Sequence, residues 1–113
     1  MGMTDAREDL AEAIREHFIS ALGLGESAAR SLVGTSRVAL RRSMTALGEA
    51  MNQGDRASTA FWAHNVKGNL LNTGLMELAG LALAIERAAE DASARLPMDT
   101  LDRLARELSR FLA

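Results

Sequence analysis

Apolar residues in this chain recur every three or four positions, in five stretches parted by short breaks, and nowhere alternate with a period of two. Such spacing lines them up on one stripe of a helix, whereas a half-buried strand needs strict alternation. An all-α fold is therefore expected. Leu10, Ile14, Phe18 and Ala21 form the stripe of a first helix over about 4–22, capped by Thr4 or Asp5 and ended at Gly23-Leu24-Gly25. Ser27 is expected to cap a second helix to about Gln53, with Leu32, Leu40, Met44, Leu47 and Met51 facing inward. Gly34 and Gly48 argue against an unbroken run there, since helical glycine costs about 1 kcal/mol relative to alanine. Asp55 caps a third helix to about Asn72, which Thr73-Gly74 stops. The fourth carries Leu75, Leu78, Ala82, Ile85 and Ala89 and fades in Asp91-Ala92-Ser93. Pro97, the sole proline, opens a fifth with Leu101, Leu104, Leu108 and Leu112.

Every such stripe must be covered by a neighbour, and short loops favour antiparallel neighbours. The expected architecture is an antiparallel up-and-down four-helix bundle with an additional N-terminal helix. A length of 113 residues suits one domain over 1–113.

Composition closes off several functions. With no cysteine, disulfides, thiolate metal sites and cysteine nucleophiles are excluded. A net charge of -2, with arginines interleaved among acids, argues against nucleic acid. No apolar run approaches the roughly 20 residues that span a bilayer. The N-terminus lacks the layout of a signal peptide, and Ala6 stands where a Met-Gly myristoylation start wants serine or threonine. A cytoplasmic protein without nucleic-acid or membrane partners is expected.

The third helix carries the chemistry. At about 100° per residue, Thr59, Ala63, Val66, Leu70 and Thr73 share a half that reads as buried. His64 lies opposite, with Ala60, Phe61, Lys67, Gly68 and Leu71. A free imidazole titrates near ~6.5, so much of it is uncharged and nucleophilic at neutral pH and can take a phosphoryl group. Lys67, one turn on, is the only lysine beside twelve arginines, and its compact ammonium can offset charge on a phosphoryl oxygen. Gly68 leaves the space over the ring clear for a partner. Ala60, Phe61 and Leu71 border this polar centre with apolar surface, the anatomy of a docking patch. No second histidine, carboxylate pair or serine supplies a base or metal cage, so a partner must bring most of the machinery.

These residues resemble the histidine-containing phosphotransfer (HPt) domain family. Its pattern Ala-His-x-Leu-Lys-Gly, followed by an Asn-x-Gly turn, a leucine and later Leu-Glu, corresponds to Ala63, His64, Lys67, Gly68, Asn72, Gly74, Leu78, Ile85 and Glu86. Val66 and Ile85 replace leucines; Asn69 and Leu71 stand where smaller residues are usual. The likeness covers roughly 30–112 and is strongest over 60–90, leaving the helix at 4–22 as an addition. It implies a four-helix bundle with His64 phosphorylated mid-helix. It also implies a reversible phosphocarrier rather than an enzyme, exchanging phosphate with the aspartate of a response-regulator receiver domain, or with a hybrid histidine kinase. The resemblance assigns Mg²⁺ to the receiver and no cofactor or metal to the bundle. A monomer is expected.

The alternative is a helical interaction module that docks receivers or other partners without carrying phosphate. A weaker third reading, His64 as a metal or haem ligand, lacks a second ligand on the same face. His17 reads as an exposed or satisfied histidine, and Trp62, Met44, Met51 and Met76 as packing. Glu86 with Glu90, and Arg103 with Arg106, read as solvated helix faces. Arg87 stands within possible range of His64, and nothing in the spacing identifies the group that aligns the second ring nitrogen.

Overall fold

In the computed structural model, which describes residues 6–113, five helices follow one another: α1 (Ala6–Leu22), α2 (Glu26–Asn52), α3 (Arg56–Asn72), α4 (Met76–Glu90) and α5 (Met98–Leu112). The all-α expectation holds, with no strand among the described residues. Among themselves, helices α2, α3, α4 and α5 each pack against two neighbours and close a ring, and α1 lies across the α2–α5 side, touching both. No described helix is long and apolar enough to cross a membrane.

The stripes read from the sequence meet in one core. Leu40, Leu47, Leu70, Val66, Ile85, Leu104 and Leu108 are fully or almost fully covered, joined from α1 by Ile14 and Phe18. Phe111 is sealed in this core, and its neighbour Leu112 packs at the edge. Ala21, expected on the α1 stripe, is exposed, since the helix turns its last residues away from the core. Met51 is buried and Met44 half-buried, but Met76 is exposed at the start of α4, so the reading of Met76 as packing is corrected. It stands one residue past the turn, on the solvent side of a helix whose core face begins at Ala79.

Short turns set the antiparallel pairing around α3. After α2, the Gly54 amide bonds Met51 O at 3.1 Å and the Asp55 amide bonds Ala50 O at 3.0 Å. After α3, the Gly74 amide bonds Leu71 O at 3.1 Å and the Leu75 amide bonds Leu70 O at 2.9 Å. Both turns use left-handed glycines, φ 67° and 81°, which a Cβ would disfavour, and both match the hydrogen-bonding of a helix C-terminal Schellman closure. Asp55 caps α3 as expected, its side chain accepting from the Ser58 amide at 3.1 Å. Those hydrogen bonds to Ser58 hold the Asp55 carboxyl below its ordinary value. At the same end Arg56 donates to Ala88 O and Asp91 O, both at 3.0 Å, and to Ala94 O. A cation thus satisfies the carbonyl end of α4, where the helix dipole favours it.

Two local expectations need correction, and a third lies out of reach. Ser27 does not cap α2: the helix starts at Glu26 after Gly25, which makes no side-chain cap. Glu26 takes the favourable acidic place in the first turn, where Arg15 of α1 and Arg30 both bond its carboxylate. Gly34 and Gly48 do not interrupt α2, because Val33 and Leu47 beside them are anchored in the core. A Cβ at Gly34 or Gly48 would meet nothing within 4 Å, so the packing of α2 does not require glycine at either place. The Thr4 or Asp5 cap falls outside the described residues.

Candidate functional site

Helix α3 divides along its length as its sequence requires. Thr59, Ala63, Val66, Leu70 and Thr73 are all buried, against α2 on one side and α4 on the other. The two threonine hydroxyls in this stripe are satisfied by their own helix, Thr59 donating to Asp55 O at 2.7 Å and Thr73 to Asn69 O at 2.9 Å. With that face fixed, the opposite one must point outward.

His64 is 68% exposed. Of the neighbours read with it, Phe61 (61%) and Leu71 (41%) are exposed and Ala60 and Gly68 half-covered. A Cβ built on Gly68 would meet nothing within 4 Å, so nothing inside the chain demands glycine there. Phe61 stands edge-on to Trp62 at 5.0 Å between ring centroids, and Trp62 in turn packs on the core. That contact holds an exposed aromatic ring in place beside the histidine.

One residue in this site was missed. Glu86 of α4 reaches His64 Nδ1 with Oε2 at 2.9 Å and takes the Lys67 ammonium on Oε1 at 2.6 Å. Its side chain is only 13% exposed, so its reading as a solvated helix face is wrong. Glu90, one turn further, is exposed as that reading expects, and so is Arg87. Helix periodicity sets Glu86 and Glu90 on similar sides of α4, and only the packing of α3 against α4 separates their surroundings. The signal that could have found Glu86 was its place at the end of the family motif.

Electrostatics at this carboxylate run in two directions. Burial raises its pKa, but the hydrogen bonds and charge of Lys67 and then His64 outweigh it, and the net shift is downward. Glu86 is therefore ionised at neutral pH. An ionised carboxylate only accepts hydrogen bonds, so in a neutral imidazole the hydrogen sits on Nδ1 and the lone pair on Nε2. The arrangement thus favours one tautomer, with the Nε2 lone pair on a ring whose side chain is largely exposed.

Beside this face runs a groove of about 620 Å³ between α1, α2 and α3, lined by His17, Leu22, Leu32, Ala39, Leu71 and Asn72 among others. It shares Leu71 with the His64 face. His17 is half-buried, neither free nor joined to His64, with its ring packed over Gly74.

A family model described as the Hpt domain matches residues 31–113. No curated protein and no solved structure gives a significant match to the chain.

Proposed function

The chain belongs to the Hpt domain family, whose helical bundles serve histidine phosphotransfer in phosphorelays, and we propose that its phosphoryl acceptor is His64. The observation that carries this reading is the exposed imidazole held by Glu86 at Nδ1, with Nε2 open to an approaching protein.

The chemistry this site supports needs no base of its own. Nε2 attacks the phosphorus of a receiver's aspartyl phosphate, its lone pair forms the N–P bond, and the P–O bond breaks with its electrons left on the aspartate. The hydrogen on Nδ1 stays where it is. The ring gains positive character as the bond forms, and the Glu86 carboxylate beside Nδ1 stabilises it. Reversal needs the same groups in the same places, so the chain acts as a carrier between aspartates. Lys67 offsets charge on the phosphoryl oxygens, and Gly68 gives a receiver's backbone room to close over the ring. Ala60, Phe61 and Leu71 form the apolar border on which the receiver docks. Mg²⁺ and the aspartate come with the receiver, free or as part of a hybrid histidine kinase. A cytoplasmic monomer fits this reading.

The decisive experiment incubates the chain with a phosphorylated receiver. Acid-labile, base-stable phosphate should appear on His64 by mass spectrometry and be absent from His64→Gln. A chain that binds the receiver equally well with either residue, and never takes up phosphate, would instead be a docking module.

A further inference from the structure

We propose that position 67 requires lysine rather than arginine, because only a donor that takes one oxygen of Glu86 leaves the other to orient His64. This rests on His64 being the phosphoryl acceptor, but the part concerning ring orientation can be read without any transfer.

The sequence makes the choice of lysine a question. Twelve other cationic side chains are all arginine, so lysine is used once, and it is used here. The structure supplies a physical reason. Glu86 divides its carboxylate: Oε1 goes to Lys67 Nζ at 2.6 Å and Oε2 to His64 Nδ1 at 2.9 Å. An ammonium is a compact charge that bonds a single oxygen and has further N–H groups to turn toward a phosphoryl group. A guanidinium presents a planar fork that matches both carboxylate oxygens at once. At a carboxylate with only 13% of its side chain exposed, the fork displaces the weaker, neutral Nδ1–H donor. The imidazole, itself 68% exposed, is then free to rotate and to carry its hydrogen on Nε2, the atom that must attack. Lys67 is in this sense a positioning residue as well as a nearby charge: it restrains Glu86 without consuming it.

The test compares the parent, Lys67→Arg, Glu86→Gln and the double variant. Two readouts are taken: the ring tautomer of His64 by nitrogen–proton NMR on ¹⁵N-histidine-labelled protein, and the transfer rate from a phosphorylated receiver. His64→Gln identifies which of the two histidine signals belongs to position 64. The parent should show hydrogen on Nδ1. Lys67→Arg should show a mixture of tautomers and transfer about tenfold more slowly or worse, a modest share of the ~10⁴-fold penalty a wrong histidine tautomer carries in serine proteases. In the Glu86→Gln background the same arginine should add little, since no carboxylate remains for the fork to occupy. The proposal is overturned if Lys67→Arg keeps the parent tautomer, or if its defect persists undiminished beside Glu86→Gln. Should the parent itself take up no phosphate, the function proposed for His64 fails, while the tautomer comparison still decides the division of Glu86.

Discussion

A carboxylate packed between two helices ordinarily titrates high, because burial disfavours its charged form. Glu86 departs from that rule: Lys67 and His64 overcome the burial and lower its pKa below the ordinary 4.5. The consequence for stability has a definite sign. A carboxyl whose folded pKa is depressed stabilises the fold fully above its unfolded value and loses that contribution as pH falls through the folded one. Urea unfolding of the parent and Glu86→Gln, compared from neutral pH down into acid, should therefore show a gap that is present near neutral pH and shrinks once pH falls below the ordinary carboxyl range. A gap that widens in acid would contradict the ion pair. Gly68 makes a complementary prediction. Since a side chain there meets nothing in the chain, Gly68→Gln should leave helicity and melting within about 1 kcal/mol of the parent. Transfer from a receiver should nonetheless fall steeply, and an unchanged rate would remove the clearance role.

Among the elements, α3 and the turns that bound it were the most legible, and the reason is local chemistry. Asp55, Gly54 and Gly74 act through hydrogen bonds and backbone angles within a few residues of themselves, so the chain announces them in order. The cap of α2 was misplaced by two residues, at Ser27 instead of Gly25, because Glu26 takes the first turn and its partner Arg15 arrives from another helix. Glu86 and Arg56 were illegible for the same reason on a larger scale: each is defined by the docking of α3 on α4. The turn after α3 offers a test that joins both kinds of constraint. Gly74 has φ of 81°, and a Cβ on it would stand 2.6 Å from Nδ1 of His17. Gly74→Ala should destabilise the protein by about 1–3 kcal/mol from the left-handed backbone alone. Displacement of the His17 ring should add to that, so Gly74→Ala in a His17→Ala background should cost measurably less, by thermal or urea unfolding. Equal costs in both backgrounds would mean that α1 does not press on this turn.

At the scale of the molecule, the question is whether α1 is ornament or structure. The family match begins at residue 31, past the whole of α1, while α2 to α5 already close a ring. Yet α1 sends Ile14 and Phe18 into the core, with 0% and 2% of their surface exposed. Removing a buried phenylalanine costs about 3–5 kcal/mol, a large part of the 5–15 kcal/mol that holds an ordinary domain together. Phe18→Ala should accordingly lower the urea midpoint severely, and a loss below about 1 kcal/mol would make α1 a loosely attached addition. Leu22, on the same helix but exposed, separates packing from recognition. It lines the groove that meets the His64 face at Leu71, and its removal should change stability by no more than about 0.5 kcal/mol. If that groove extends the docking surface, Leu22→Ala should raise the receiver concentration needed for half-maximal transfer and leave the rate at saturation unchanged, because no group touching the phosphoryl has moved. A chain that is unaffected in both respects confines docking to α3 and its immediate border, and leaves α1 with the core as its only task.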